Sequence, residues 1–184
     1  ISGVETMMNN LSPDVNWRLQ MITTGFYTQP NTFPLTQGST SKDALYMLSN
    51  LPSDHGEQGF QAVYNYIEFD SYAQTWLRPQ AALLVVFVSD EEEQSKMTTL
   101  EFTEWYDRQR TSVYLSSIVN VDPLLTECQY LNQQNVGYKY MDAASYFNGN
   151  LSINITISST NTEDLISSAD KVKNYIENLT YCDI

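Results

Sequence analysis

The run Leu83–Val88, LLVVFV, constrains the fold more than any other stretch of this chain. It is too short for an ordinary helix and no polar residue interrupts it, which is the pattern of a strand covered on both faces in a parallel sheet. SDEEEQS follows at once, so a buried strand delivers Ser89, Asp90, Glu91, Glu92 and Glu93 to its own carboxyl end. Open α/β sheets bind their ligands beyond the carboxyl ends of the strands. The acidic block therefore has two readings. In one it is a ligand or metal site. In the other Ser89 or Asp90 caps the next helix and the glutamates favour its positive end, each by a few tenths to about 1 kcal/mol.

The rest of the chain alternates between helical and extended patterns. ISGVETMMNNL places Ile1, Val4, Met7, Met8 and Leu11 on one helical face, and VNWRLQMITTG then alternates Val15, Trp17, Leu19 and Met21 as a strand does. FYTQPNTFPLTQGSTS, with Pro30, Pro34 and Gly38, reads as a loop or a short irregular edge hairpin. Helices are expected in SKDALYMLSNL with Ser41 as N-cap, in EQGFQAVYNYIEF, in TLEFTEWYDRQR, in GYKYMDAASYF and in TEDLISSADKVKNYIENL with Thr162 as N-cap. SVYLSSIVNV and LSINITIS read as strands.

That order predicts a mainly parallel α/β sheet. Its strands fall near Trp17–Thr23, Leu83–Val88, Val113–Val119 and Leu151–Ser158, with helices on both faces. With 184 residues, 42 % of them hydrophobic, the chain suffices for one domain spanning 1–184.

Charge narrows the partners. Asp and Glu total 22 against 9 Lys and Arg, a net charge of -13. A surface of that sign repels nucleic-acid phosphates and anionic lipid, and it favours cations and basic partners. No run of the chain approaches the length of a membrane span. Only 17 % of residues are charged. The remaining polar surface is built from hydroxyls and amides, a composition common in secreted and particle-surface proteins. Asn150, Asn154 and Asn178 open glycosylation sequons, which fits that setting.

Other chemistry-bearing residues point away from catalysis. His55 is the only histidine, beside Asp54 and Glu57, with no serine or cysteine nucleophile near it in sequence, and it reads as a surface loop residue. Trp17, Trp76 and Trp105 read as core or interface residues, and no Gly-rich phosphate loop follows a strand. Cys128 and Cys182 are too few for a structural zinc site and are expected to form a disulfide, which implies an oxidising compartment or an extracellular particle. The loop it closes would contribute about 3 to 5 kcal/mol in the chain-entropy model. The chain is expected not to be an enzyme.

LLVVFVSDEEEQS, preceded by SDHGEQGFQAVYNYI and followed by VGYKYMDAASYFNG, resembles the von Willebrand factor type A domain, particularly its bacterial and phage-type members. The resemblance runs over roughly 1–150. It implies an adhesion site above the sheet, where Mg²⁺ or another divalent ion is completed by an acidic group of the ligand. By that pattern Asp90 is the late acidic member of the site, and Ser53, Asp54, Glu57, Ser89 and Glu91 surround it. The family's Asp-x-Ser-x-Ser loop and its loop threonine have no counterpart here, so the site is incomplete.

The resemblance also places the family's first strand before Ile1. The domain is then N-terminally incomplete, with a slot beside LLVVFV for a strand from the same gene product or from another chain. Two functions follow as expectations. One is a non-catalytic adhesion module, extracellular or on a cell surface, that binds a protein or glycan. The other is a structural module of a virion tail, fibre or surface component, held by neighbouring subunits without metal.

Overall fold

A computed structural model describes Met8 and residues 14–25, 34–52, 56–89, 91–119 and 136–147. The expected helix at 1–11, apart from Met8, lies outside these residues. So do the strand at 151–158, the closing helix at 162–179, the three sequons, Cys128, Cys182, Ser53, Asp54, His55 and Asp90. The chain divides into two compact units, one holding residues of Ile1–Thr23 and Thr28–Ser53, the other Thr24–Tyr27 and Asp54–Ser158.

In the first unit the alternating segment gives a strand much shorter than its pattern predicts. β1 is Arg18–Leu19, and it pairs antiparallel with β2, Leu35–Thr36, in register Arg18↔Thr36 and Leu19↔Leu35. The expected strand Trp17–Thr23 is thus a two-residue hairpin arm rather than a member of the parallel sheet. Alternation specifies which side chains point inward, and a two-residue pairing satisfies it as well as a long strand does. Leu35, Ala44, Met47 and Met8 form the core, with Trp17, Leu19 and Met21 packed against it.

A turn at Gly38, whose φ of 87° suits glycine, leads from β2 into α1, Ser41–Ser49. Its N-cap is Thr40, one residue before the expected Ser41. The reason is Asp43, whose Oδ2 accepts the Thr40 N–H at 2.7 Å in a capping box. That bond and the Thr40 hydroxyl hold the Asp43 carboxyl below its ordinary range.

The second unit is mixed α/β. In chain order it holds α2 (Gly59–Phe69), α3 (Ala73–Trp76), β3 (Leu83–Ser89), α4 (Thr99–Asp107), β4 (Val113–Val119) and α5 (Tyr138–Tyr146). β3 and β4 pair in parallel from Leu83↔Val113 to Ser89↔Val119, with α4 as the crossover a parallel pair requires. Thr98 accepts the Glu101 N–H and receives the Glu101 carboxylate on its own N–H, which sets the start of α4.

Helices α2, α4 and α5 all meet the same face of β3. The Phe87 ring lies 5.5 Å from Phe60 of α2, 5.7 Å from Phe102 of α4 and 4.8 Å from Tyr140 of α5, centroid to centroid. Phe60 stacks on Phe102 at 4.4 Å, and Phe102 on Tyr106 at 5.7 Å. Tyr106 sets its hydroxyl within 3.1 Å of the Leu83 carbonyl and 2.9 Å of the Tyr114 carbonyl, so the buried phenol stays bonded to the strands it covers.

Cover of the opposite face, also expected, is not supplied by the described helices. Leu84, Val86 and Val88 are 59 %, 41 % and 51 % exposed, and the described helices that reach β3 all lie on the Phe87 side. An uninterrupted apolar run marks both faces as suited to burial but does not say what buries the second one.

Gly59 shows how closely the helices approach. A Cβ there would lie 2.7 Å from the Tyr140 hydroxyl oxygen and 3.0 Å from Phe87 Cδ1, inside rings that are themselves packed. Gly59→Ala is expected to cost about 1 to 3 kcal/mol, read as a lower urea midpoint at unchanged m-value.

Candidate functional site

The acidic block sits where β3 ends, against the starts of α2 and α5. Ser89 Oγ donates to Glu57 Oε2 at 2.9 Å and accepts the Glu91 N–H at 3.1 Å. The Gln94 N–H donates to the Glu57 carbonyl at 2.6 Å. Glu57, Ser89 and Glu91, expected together from the sequence, are therefore brought together around one hydroxyl. Ser53, Asp54 and Asp90, expected beside them, lie outside the described residues.

The next two glutamates correct the expectation that the block caps the helix that follows it. That helix, α4, starts only at Thr99, with its own capping box at Thr98 and Glu101. Glu93 is 1 % exposed, and its Oε2 accepts the Phe60 N–H at 2.9 Å while its Oε1 accepts the Ser95 N–H. Ser95 Oγ in turn accepts the Gln61 N–H at 3.1 Å. Phe60 and Gln61 belong to the first turn of α2, whose N-cap Gln58 makes no side-chain cap bond.

Glu92 does the same for α5. Its Oε2 accepts the Tyr138 N–H and its Oε1 the Lys139 N–H, each at 3.1 Å, at a helix whose N-cap is Gly137. Lys139 Nζ closes the arrangement on the Glu93 carbonyl at 2.8 Å. A helix start leaves four N–H groups without intrahelical partners and carries partial positive charge. Carboxylates from a neighbouring strand end satisfy both needs, with bonds roughly twice as strong as neutral ones.

Tyr140 joins the two helices beneath this layer. Its hydroxyl accepts the Gly59 N–H at 3.3 Å and bonds the Glu93 carboxylate. Burial, then the negative charges of Glu93 and Glu57, push the phenol well above its ordinary range. Tyr140 stays neutral and serves as a donor.

Glu92 and Glu93, which sequence reasoning gave to the next helix, and Ser95 and Tyr140, which it did not single out, complete this layer. A signal for the first two was present. The segments opening α2 and α5 begin with Gln58 and Gly137, which bring no capping oxygen of the kind Thr40 and Thr98 supply, so two helix starts need acceptors from elsewhere. The block also bears on metal. Among the described residues no three of His, Cys, Asp and Glu converge as ligands. The Glu92 and Glu93 oxygens are engaged by N–H donors, so the described donor set does not by itself suit Mg²⁺, which demands free oxygens in octahedral array.

No family model matches the chain, and neither the curated proteins nor the solved structures compared with it give a match.

Two predictions follow from the caps and the buried phenols. Glu93→Ala is expected to destabilise by about 2 to 5 kcal/mol, because it orphans buried N–H groups, and Glu92→Ala by about 1 to 2 kcal/mol. Urea titration that ranks them in the reverse order contradicts the assignment. Tyr66 is raised to about 12, by burial first, and burial also raises Tyr106. These phenols keep their protons in the folded chain above the pH at which they ionise unfolded. Their contribution is therefore complete below about pH 10 and is lost as pH climbs toward 12. Circular dichroism against pH should show unfolding that begins above pH 10, together with tyrosinate absorption.

Proposed function

We propose that this chain is a non-catalytic binding domain of the von Willebrand factor type A kind, belonging to an extracellular or cell-surface protein, with a protein or glycan as ligand. The observation that carries this reading is the placement of Glu57, Ser89 and Glu91 around one hydroxyl at the carboxyl end of a parallel strand, where α/β sheets bind ligands. The hydroxyl of Ser89 faces a carboxylate rather than an imidazole, an arrangement for holding a ligand's donor group rather than for nucleophilic attack.

Asp90 follows Ser89 directly and is the residue through which a divalent ion would join the site. A strand beside β3, from the same gene product or another chain, is what would complete the sheet and bring the remaining oxygens. Among the described residues β3 pairs only with β4.

A second reading is favoured by Leu84, Val86 and Val88, whose exposure suits a structural module of a virion or surface layer seated against neighbouring subunits. One experiment separates the two. Adhesion to immobilised cell-surface glycoprotein is expected to fall about tenfold in Glu57→Gln, with the melting temperature nearly unchanged. Adhesion that ignores Glu57→Gln, with assembly lost in Val86→Asp, supports the structural module instead. A melting temperature raised by Mg²⁺ or Mn²⁺ in the wild type but not in Asp90→Ala identifies the metal-dependent form.

A further inference from the structure

Several aromatic rings of the second unit pack around Phe87 of β3, and three others meet nearer the surface. Tyr64 and Phe69 of α2 and Trp105 of α4 form a surface ledge, with Tyr64 5.0 Å from Trp105 and 5.6 Å from Phe69, centroid to centroid. Phe69 is 69 % exposed. The ledge is rooted in the core, because Trp105 also lies 5.7 Å from the buried Phe102. Its orientation is fixed by Nε1–H, which donates to Glu68 Oε1 at 2.7 Å, and the Gln109 amide reaches the same oxygen at 3.3 Å. Rings already held in place lose little freedom on binding, which is what makes an aromatic surface an anchor.

The charge around the rings is mostly negative. Within their bounds α2 and α4 carry Glu68, Glu101, Glu104 and Asp107 and no lysine or arginine, the nearest base in sequence being Arg108 at the C-cap of α4. Glu101 stands one turn before Trp105 and Glu68 one turn after Tyr64, so carboxylates flank the ring pair along both helices. An exposed ring and two half-buried ones beside carboxylates suit a flat cation. A guanidinium stacks on tryptophan or tyrosine and pairs a carboxylate at its edge, which a compact ammonium does less well.

We propose that the Tyr64–Phe69–Trp105 ledge docks an arginine-bearing segment of a partner protein. It uses none of Glu57, Ser89 and Glu91, so it is a second surface beside the site at the end of β3. The test is titration with hexa-arginine, hexalysine and chitohexaose, followed by tryptophan fluorescence and calorimetry. Hexa-arginine is expected to bind more tightly than hexalysine, and Trp105→Ala to weaken it about three- to tenfold although that change leaves the net charge untouched. Phe69→Ala, at an exposed ring, is expected to weaken it in the same direction and decides the matter should Trp105→Ala not fold by circular dichroism. Affinity unaltered in the folded ring variants means general attraction to an acidic chain and overturns the proposal. So does the absence of hexa-arginine binding, or chitohexaose binding that disappears with the rings, which would make the ledge a glycan surface.

Discussion

The second unit depends on where the carboxylates after β3 spend their oxygens. Two helices, α2 and α5, begin without a capping side chain of their own, and both starts meet the carboxyl end of one strand. Glu93 and Ser95 bond the first turn of α2, and Glu92 bonds the first turn of α5. Neighbours in sequence therefore hold together two helices whose starts lie more than seventy residues apart. A buried carboxylate without partners would cost several kcal/mol, and unpaired helix N–H groups would cost a comparable amount. Each offsets the other only when both are present.

That coupling explains why the aromatic core is as dense as it is. With the helix starts drawn to one point, α2, α4 and α5 converge on Phe87, and Gly59 lets α2 and α5 approach until the Tyr140 ring touches the backbone. Tyr140 belongs to both layers, since its ring packs on Phe60 and its hydroxyl joins the polar network. The polar and apolar parts of this unit are thus one arrangement. The core sets the helix directions, and the carboxylates fix where the helices begin.

Much of this was legible in the sequence where local rules govern. The strands LLVVFV and SVYLSSIV and the described helix segments follow from periodicity, and Ser89 and Glu91 at a strand end from the behaviour of α/β sheets, whereas Glu57 was expected beside them only through the family resemblance. The block's acidity was legible as well, but its destination was not. Capping rules look along the chain, and they assigned Glu91–Glu93 to the next helix, whereas α4 supplies its own Thr98 and Glu101. The donors that Glu92 and Glu93 serve come from both directions, more than thirty residues before and more than forty after. No local spacing encodes such a partnership. Only the absence of caps at Gln58 and Gly137 hinted at it.

The segment around Trp17 shows the opposite limit. Alternation at Val15, Trp17, Leu19 and Met21 reads as a strand of a parallel sheet, yet β1 has two residues and pairs antiparallel with β2. A period of two reports which side chains face inward and carries no information about the partner or its direction. The same gap appears at β3, where an unbroken apolar run read as cover on both faces, and the described helices that meet Phe87 occupy one side. Leu84, Val86 and Val88 thus mark a requirement rather than an arrangement. An apolar strand face of this length is disfavoured in water at about 25 cal/mol for every Å² left open, so the pattern favours cover there, while what would supply it depends on contacts the pattern does not contain.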